Sequence, residues 1–390
     1  MVNRIGIDAR FMLRPMRGIP LYVNRLCEHL PRDKSLEFVF FINKGFEHND
    51  RSDIYMHRIN RIRERNKNIL FVNQNSEGEV LWEQFYLPQL VKRYKVDLLH
   101  MPANRACYWP GVPMVVTLHD AMEYRFLMGQ KYPLSWAQNR SLRSLFYNAR
   151  ARLYVLSMYK LGLHRAKQTI TVSHYSAGDM VRYLGYRAET LHVIHHGLDG
   201  GYRMEKVLEK KDRTHTLMLG GDSLQKNPNT ALKAWAKVDP VLRGKYPLKI
   251  VGFCGGISSP LLAAIRELGL EKEVSVKGWV DQQQLVDLFK RAALFLFPSR
   301  YEGFGFPLIQ AMAAGTPMIC SNTSSIPEIV GQAGLKYDPD DHRGMAEGMT
   351  ALLSQINDWN QQSSKGLDRA EQFDWEKSAA MHIKTYRELL

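Results

Sequence analysis

At 390 residues the chain is long for one hydrophobic core and long enough for two domains, and its 45% apolar and 24% charged residues exclude a disordered or low-complexity protein. The four cysteines, Cys27, Cys107, Cys254 and Cys320, form no CxxC pair, which excludes a disulfide framework or a zinc knuckle. The net charge of +14 gathers in one half: residues 1–200 hold 29 Lys and Arg against 17 Asp and Glu, which predicts an anionic partner there, whether membrane surface, lipid phosphate or nucleic acid.

The opening Met1–Asp8 stretch is too short and too polar for a signal peptide, and no apolar run reaches membrane-spanning length, so a reduced, cytoplasmic compartment is expected. Short apolar runs then predict strands at Ile5–Ile7, Phe38–Ile42, Ile69–Val72, Leu98–His100, Met114–Leu118 and Thr169–Val172, with helical patterns such as Pro20–Leu30 and Leu81–Tyr94 between them. The pattern restarts with strands at Thr216–Leu219, Leu248–Val251, Val274–Val276 and Leu294–Phe297. Helices are expected at Pro228–Val238, Gln283–Arg291, Phe306–Ala314 and Met345–Ile356. Alternating strands and helices make parallel sheets, so the fold class is α/β with two Rossmann-like domains, 1–200 and 201–372, joined near Gly197–Glu209. Ligands of such sheets bind beyond the carboxyl ends of the strands, and two such domains facing each other imply an interdomain cleft.

Four loops carry the candidate chemistry. The turn after Phe297 holds Arg300, Glu302, Gly303, Phe304 and Gly305 and opens a helix carrying Gln310. A helix start with glycines before it favours an anion and lets a ligand approach the backbone; Glu302 is placed to accept hydrogen bonds from sugar hydroxyls, or is simply solvated. The loop after Leu219 holds Gly220, Gly221, Gln225 and Lys226, and the lysine suits a phosphate unless it is an ordinary surface lysine. His119 and Asp120 end a buried strand. Arg17 and Gly18 precede the first helix, where the glycine leaves room for an acceptor or a diphosphate.

Taken in order, these segments resemble glycosyltransferase family 4, the retaining transferases of GT-B fold, and among them bacterial transferases of O-antigen and other surface polysaccharides, mannosyltransferases included. The resemblance rests on Asp8-Ala-Arg10 with Gly18–Tyr22, His119-Asp120, Val172–Ser176, Val193–Asp199, Glu302-Gly-Phe-Gly-Phe-Pro307, Ala314–Pro317 and Ser325–Glu328. It implies a nucleotide-diphosphate sugar as donor and no cofactor or metal. Lys226 and the helix start would stabilise the leaving diphosphate, Glu302 would orient the sugar, and His119 would act near the anomeric carbon. Arg17, Gly18 and Asp120 would lie on the acceptor side. It also implies that the segment of about 373–390, opening at Phe373–Lys377, returns to the first domain. GDP-mannose is the first expectation for the donor and a UDP-hexose the second.

Two positions depart from the family's pattern: Gln225 stands where Arg is usual, and Gln310 where a second Glu usually holds the ribose. One lost charge-assisted hydrogen bond costs about 1.5–3 kcal/mol. Three alternatives follow: Arg300 compensates, the donor is atypical, or the chain is a non-catalytic binder. The segment Tyr124–Lys167 carries nine cations and no Asp or Glu, interleaved with aromatics. That pattern predicts docking on an anionic membrane surface, peripheral at the inner face of the cytoplasmic membrane, with a glycan or lipid-linked acceptor. No nucleic-acid-binding module is recognisable, so nucleic acid is not expected as a partner.

Overall fold

The computed structural model describes residues 2–30, 33–43, 52–65, 68–128, 150, 152–204, 206–220, 223–253 and 259–390. Half of the predicted basic segment, 129–149 with residue 151, lies outside the described residues, as do Gly221 and Cys254. The described chain divides into two compact units. The first runs to residue 128, resumes at residue 150, continues to Gly197 and closes with Asp374–Leu390; the second is Leu198–Phe373.

Unit 1 is built on seven parallel strands: β1 Asn3–Asp8, β2 Leu36–Ile42, β3 Ile69–Asn73, β4 Leu98–Met101, β5 Met114–Leu118, β6 Gln168–Thr171 and β7 Leu191–Val193. Their order is β3-β2-β1-β4-β5-β6-β7. β4 and β5 are buried along their whole length, as strands covered on both faces must be. Trp82, Phe41, Val116 and Tyr159 meet in the core on one side of this sheet.

Unit 2 repeats the plan with six parallel strands: β8 His215–Leu219, β9 Leu248–Val251, β10 Val274–Lys277, β11 Ala292–Phe297, β12 Met318–Ser321 and β13 Leu335–Tyr337. The order is β10-β9-β8-β11-β12-β13, so the sheet reverses direction of growth between β8 and β11. Trp235, Ile250, Leu294 and Met349 share one core. The expected helix Met345–Ile356 instead occupies His342–Ser354; extended backbone at Gln355 ends it, and a new helix runs Ile356–Ala370.

The last helix, Trp375–Arg387, is capped by Asp374, whose carboxylate accepts from the Lys377 amide at 2.9 Å. It packs in unit 1, against the helix Ile19–His29. Gly197 makes that return possible. A Cβ there would lie 2.2 Å from the Trp375 backbone nitrogen and 2.6 Å from its Cα, and backbone cannot move aside cheaply. Gly197→Ala is expected to cost at least about 2 kcal/mol, at the upper part of the range for overpacking. Urea unfolding should show a lowered midpoint.

Candidate functional site

In unit 2, the adjacent strands β8 and β11 both end in turns at the point where the strand order reverses, the place an open α/β sheet reserves for ligands. Lys226 closes the short turn Leu224–Lys226, and its Nζ donates to Glu302 Oε1 at 2.6 Å while sitting 5.1 Å over the Phe297 ring. The ammonium is thus held by a carboxylate and by an aromatic face at once. Gly220 has φ +117, and a Cβ on it would fall 2.2 Å from Lys226 Cγ, so only glycine lets the lysine fold back over its own strand end.

Neighbouring hydrogen bonds lace the two turns together. Gln225 Nε2 donates to the Tyr301 carbonyl at 2.6 Å, and the Arg300 amide donates to the Gln225 carbonyl at 2.8 Å. The Arg300 guanidinium pairs with Asp340 and donates to Asn227 Oδ1 at 3.2 Å, while Asn227 Nδ2 donates to the Pro339 carbonyl at 2.6 Å. Arg300 is therefore engaged with this loop. Ser325 opens one of the segments behind the family resemblance, but nothing in the spacing showed that it and Ser324 hold the Glu302 backbone. The Glu302 amide donates to Ser324 Oγ at 3.0 Å, and Ser325 Oγ donates to the carbonyls of Glu302 and Phe304 at 2.9 and 3.2 Å.

Past Gly303 and Phe304, Gly305 takes φ +95 and starts the helix Phe306–Ala313, with no side chain capping it. One turn into that helix, Gln310 is only 6% exposed, and its amide has no hydrogen-bond partner among the described residues. It is not a sealed orphan, because its amide atoms still reach solvent.

In unit 1, His119 follows β5. Its amide donates to Asn104 Oδ1 at 2.7 Å, and its Nε2 lies 2.9 Å from the Pro102 carbonyl. A carbonyl can only accept, so Nε2 carries the proton and Nδ1 presents a lone pair, which has no partner among the described residues. The Tyr22 ring meets the imidazole edge-on at 4.9 Å. Asp120 Oδ1 accepts from the Met122 amide at 2.9 Å and so fixes the start of the helix Met122–Leu127. Gly18, at φ +53, opens the helix Ile19–His29 with no atom within 4 Å of where a Cβ would stand, and Arg17 beside it is exposed.

Behind His119 runs a buried hydrogen-bond chain that spacing could not reveal. His382 Nδ1 must donate to the Ser378 carbonyl at 2.7 Å, so its Nε2 accepts from the Tyr22 hydroxyl at 2.8 Å. Tyr22 then accepts from Thr117 at 2.9 Å, Thr117 from His100 Nε2 at 2.8 Å, and His100 Nδ1 from Tyr386 at 2.8 Å. His196 joins by stacking on Trp375 at 5.8 Å. His195 and His196 follow β7 in irregular backbone, past its end, with His196 buried and His195 less so. At the end of β1, Arg10 is buried between Asp8 and Glu83, and Trp82 Nε1 donates to Asp8 Oδ1 at 3.0 Å. Burial raises both carboxyls, against the pull of the guanidinium. Among the described residues, no three His, Cys, Asp or Glu side chains are grouped to hold a metal ion.

Two family models match the chain: Glycosyltransferase Family 4 over residues 16–200 and Glycosyl transferases group 1 over residues 203–367. The O-antigen chain mannosyltransferase B of Escherichia coli is 31% identical over 235 residues, 58% of this chain; the chain spans 61% of that relative's length. Sucrose-phosphate synthase from Thermosynechococcus elongatus shares the fold at TM-score 0.71 and 19% identity, covering 99% of both chains. HepE of Anabaena, solved with UDP and glucose, does so at TM-score 0.69 and 17% identity over the full length of both. The fold is therefore GT-B, each unit Rossmann-like.

Burial pulls His119 and His382 down to about 4, and His100 and His196 well below the ordinary histidine value. These rings are neutral when folded, whereas the unfolded chain protonates them below about pH 6.5. Their contribution is therefore complete above pH 6.5 and is lost as pH falls from there toward 4, by up to roughly 1.4 kcal/mol per pH unit per histidine. Asp8 and Glu83, with raised values, act in the opposite direction. His382→Gln should flatten the decline of the urea midpoint between pH 7 and 5 by about one proton's worth; an unchanged slope would contradict the neutral, buried assignment.

Proposed function

We propose, from the premise that the chain belongs to the glycosyltransferases of family 4 and group 1, that it transfers a hexose from a nucleoside-diphosphate sugar to a glycan or lipid-linked glycan in surface-polysaccharide or lipopolysaccharide synthesis. The observation that carries this reading is the Lys226–Glu302 pair on two turns at the reversal point of the unit 2 sheet. Mannose is the favoured sugar, by similarity to the O-antigen mannosyltransferase, with GDP-mannose as donor. A UDP-hexose is the second choice, since HepE binds UDP and glucose.

In this reading Lys226 exchanges part of its contact with Glu302 for the donor diphosphate, and the start of the helix Phe306–Ala313 adds its partial positive charge. Glu302, with its backbone held by Ser324 and Ser325, accepts from sugar hydroxyls. His119 Nδ1, already committed to accepting, takes a further sugar hydroxyl proton in a hydrogen bond. The bond from the anomeric carbon to the diphosphate oxygen breaks as the acceptor oxygen bonds on the same face. The acceptor's proton passes to the departing diphosphate, giving retention without a covalent enzyme intermediate or a metal. A non-catalytic nucleotide-sugar binder is the second reading, favoured by Gln225, whose amide is spent on the Tyr301 carbonyl.

Thermal shifts against GDP, UDP, dTDP and their sugars should show one nucleotide raising the melting temperature, because a ligand bound to the native state stabilises it. Donor hydrolysis and transfer then separate the two readings. Lys226→Ala and Glu302→Ala should each lower turnover at least tenfold with the fold retained. Near wild-type turnover by either folded variant would remove that residue from the site. Gln310→Glu should keep or strengthen nucleotide affinity, because a carboxylate accepts from both ribose hydroxyls where an amide offers one oxygen. Loss of the nucleotide would mean a pocket built for the amide.

A further inference from the structure

Three of the four most exposed large apolar side chains among the described residues are Trp109 at 70%, Leu153 at 68% and Leu161 at 62%. All three belong to unit 1, on two segments that sit together. Trp109 lies in the loop between β4 and β5; Leu153 and Leu161 lie on the helical stretch 152–165. The Arg165 guanidinium sits 5.7 Å over the Trp109 ring, and Tyr108 donates to or accepts from Ser157 Oγ at 2.6 Å. Trp109, Leu161, Lys160, His164 and Arg165 border one shallow depression with Tyr108.

The charges on these segments have one sign. Residues 102–113 and 150–167 contain Arg105, Arg150, Arg152, Lys160, Arg165 and Lys167 and no Asp or Glu. The acids that approach them from other elements are Glu79, Glu83 and Glu123, all three beside Arg105: Glu83 is buried and accepts from Tyr154, Glu123 accepts from Tyr159 and Arg105, and Glu79 pairs with Arg105 at 3.6 Å, leaving Lys160 and Arg165 outside this acidic group. A basic helix facing water would explain the lysines and arginines alone. It does not explain why tryptophan and leucine stand exposed among them, at an apparent hydrophobic cost. Trp and Tyr rings set among cations and apolar side chains suit the headgroup level of a bilayer.

We infer that this face, centred on Trp109, Leu161, Lys160 and Arg165, docks on an anionic lipid surface, with the cations at the headgroups and Trp109 and Leu161 entering the acyl boundary. The inference deepens the transferase reading, which supplies a reason for such docking in a lipid-linked acceptor.

The test is co-sedimentation of the full chain with vesicles of phosphatidylcholine and phosphatidylglycerol, against phosphatidylcholine alone. The wild type should bind only the anionic vesicles and be released by high salt. Each cation near such a surface is worth about a factor of five, so Lys160→Gln with Arg165→Gln should weaken binding roughly twenty-five-fold. Trp109→Ser with Leu161→Ser should weaken it about tenfold while leaving the salt dependence in place. Equal binding to neutral vesicles, no binding to anionic ones at low salt, or folded variants that bind like the wild type would each overturn the inference. Nucleotide-induced thermal shifts, measured on the same proteins, should be unchanged by these substitutions. A chain that docks on vesicles but responds to no nucleotide would fail the transferase reading and leave the docking face standing.

Discussion

The carbonyl of Ser378 decides the direction of every proton in the buried hydrogen-bond chain of unit 1. Because it can only accept, His382 must donate from Nδ1 and accept at Nε2, and the order then propagates through Tyr22, Thr117 and His100 to Tyr386. Each member is satisfied with no net charge, the condition under which a buried polar network stabilises rather than costs. The chain ties the last helix of the protein to its first helix and to β4 and β5. Unit 1 is complete only when Trp375–Arg387 is present, although all of Leu198–Phe373 intervenes. The same tyrosine that anchors this network meets the His119 ring edge-on, so the protein's last helix helps place a candidate functional imidazole.

Unit 2 solves a different problem, placing charge at the reversal point of a sheet. A lysine that folds back over its own strand end needs a glycine beneath it and a partner in front. Gly220 provides the first and Glu302 the second. The Gln225 and Arg300 contacts then hold the two turns at fixed separation, and Ser324 and Ser325 hold the Glu302 backbone. Among the described residues, the Gln310 amide beside this arrangement has no protein partner; it is nearly buried and still reaches solvent.

Much of the fold was legible in the sequence because parallel strands buried on both faces are continuous apolar runs. Phe38–Ile42, Met114–Leu118 and Leu294–Phe297 announce themselves. The strands that were not legible are β7, β12 and β13. β7 and β13 are three-residue edge strands, only half-buried, and β12 is fully buried but holds only two large apolar residues, Met318 and Ile319, before Cys320 and Ser321. The turns bearing Lys226 and Glu302 were readable from glycines at strand ends. Their pairing was not, since it joins residues 76 apart in sequence. The same holds for Arg10 with Glu83, and for Tyr22 with His382, where distance along the chain erases any local signal. Arg300 was readable as a cation beside the turn, but not its engagement with Asp340 and Asn227.

By the proposed function, the turns after β8 and β11 receive a nucleoside-diphosphate sugar. Hydrogen exchange read by mass spectrometry tests it without altering the protein. Adding the nucleotide sugar should slow exchange in peptides spanning 223–227 and 298–312 while the strands beneath them stay as protected as before, because ligand contact raises the opening free energy of the loops it touches. Protection that falls elsewhere, with those two turns unchanged under saturating donor, would contradict the account.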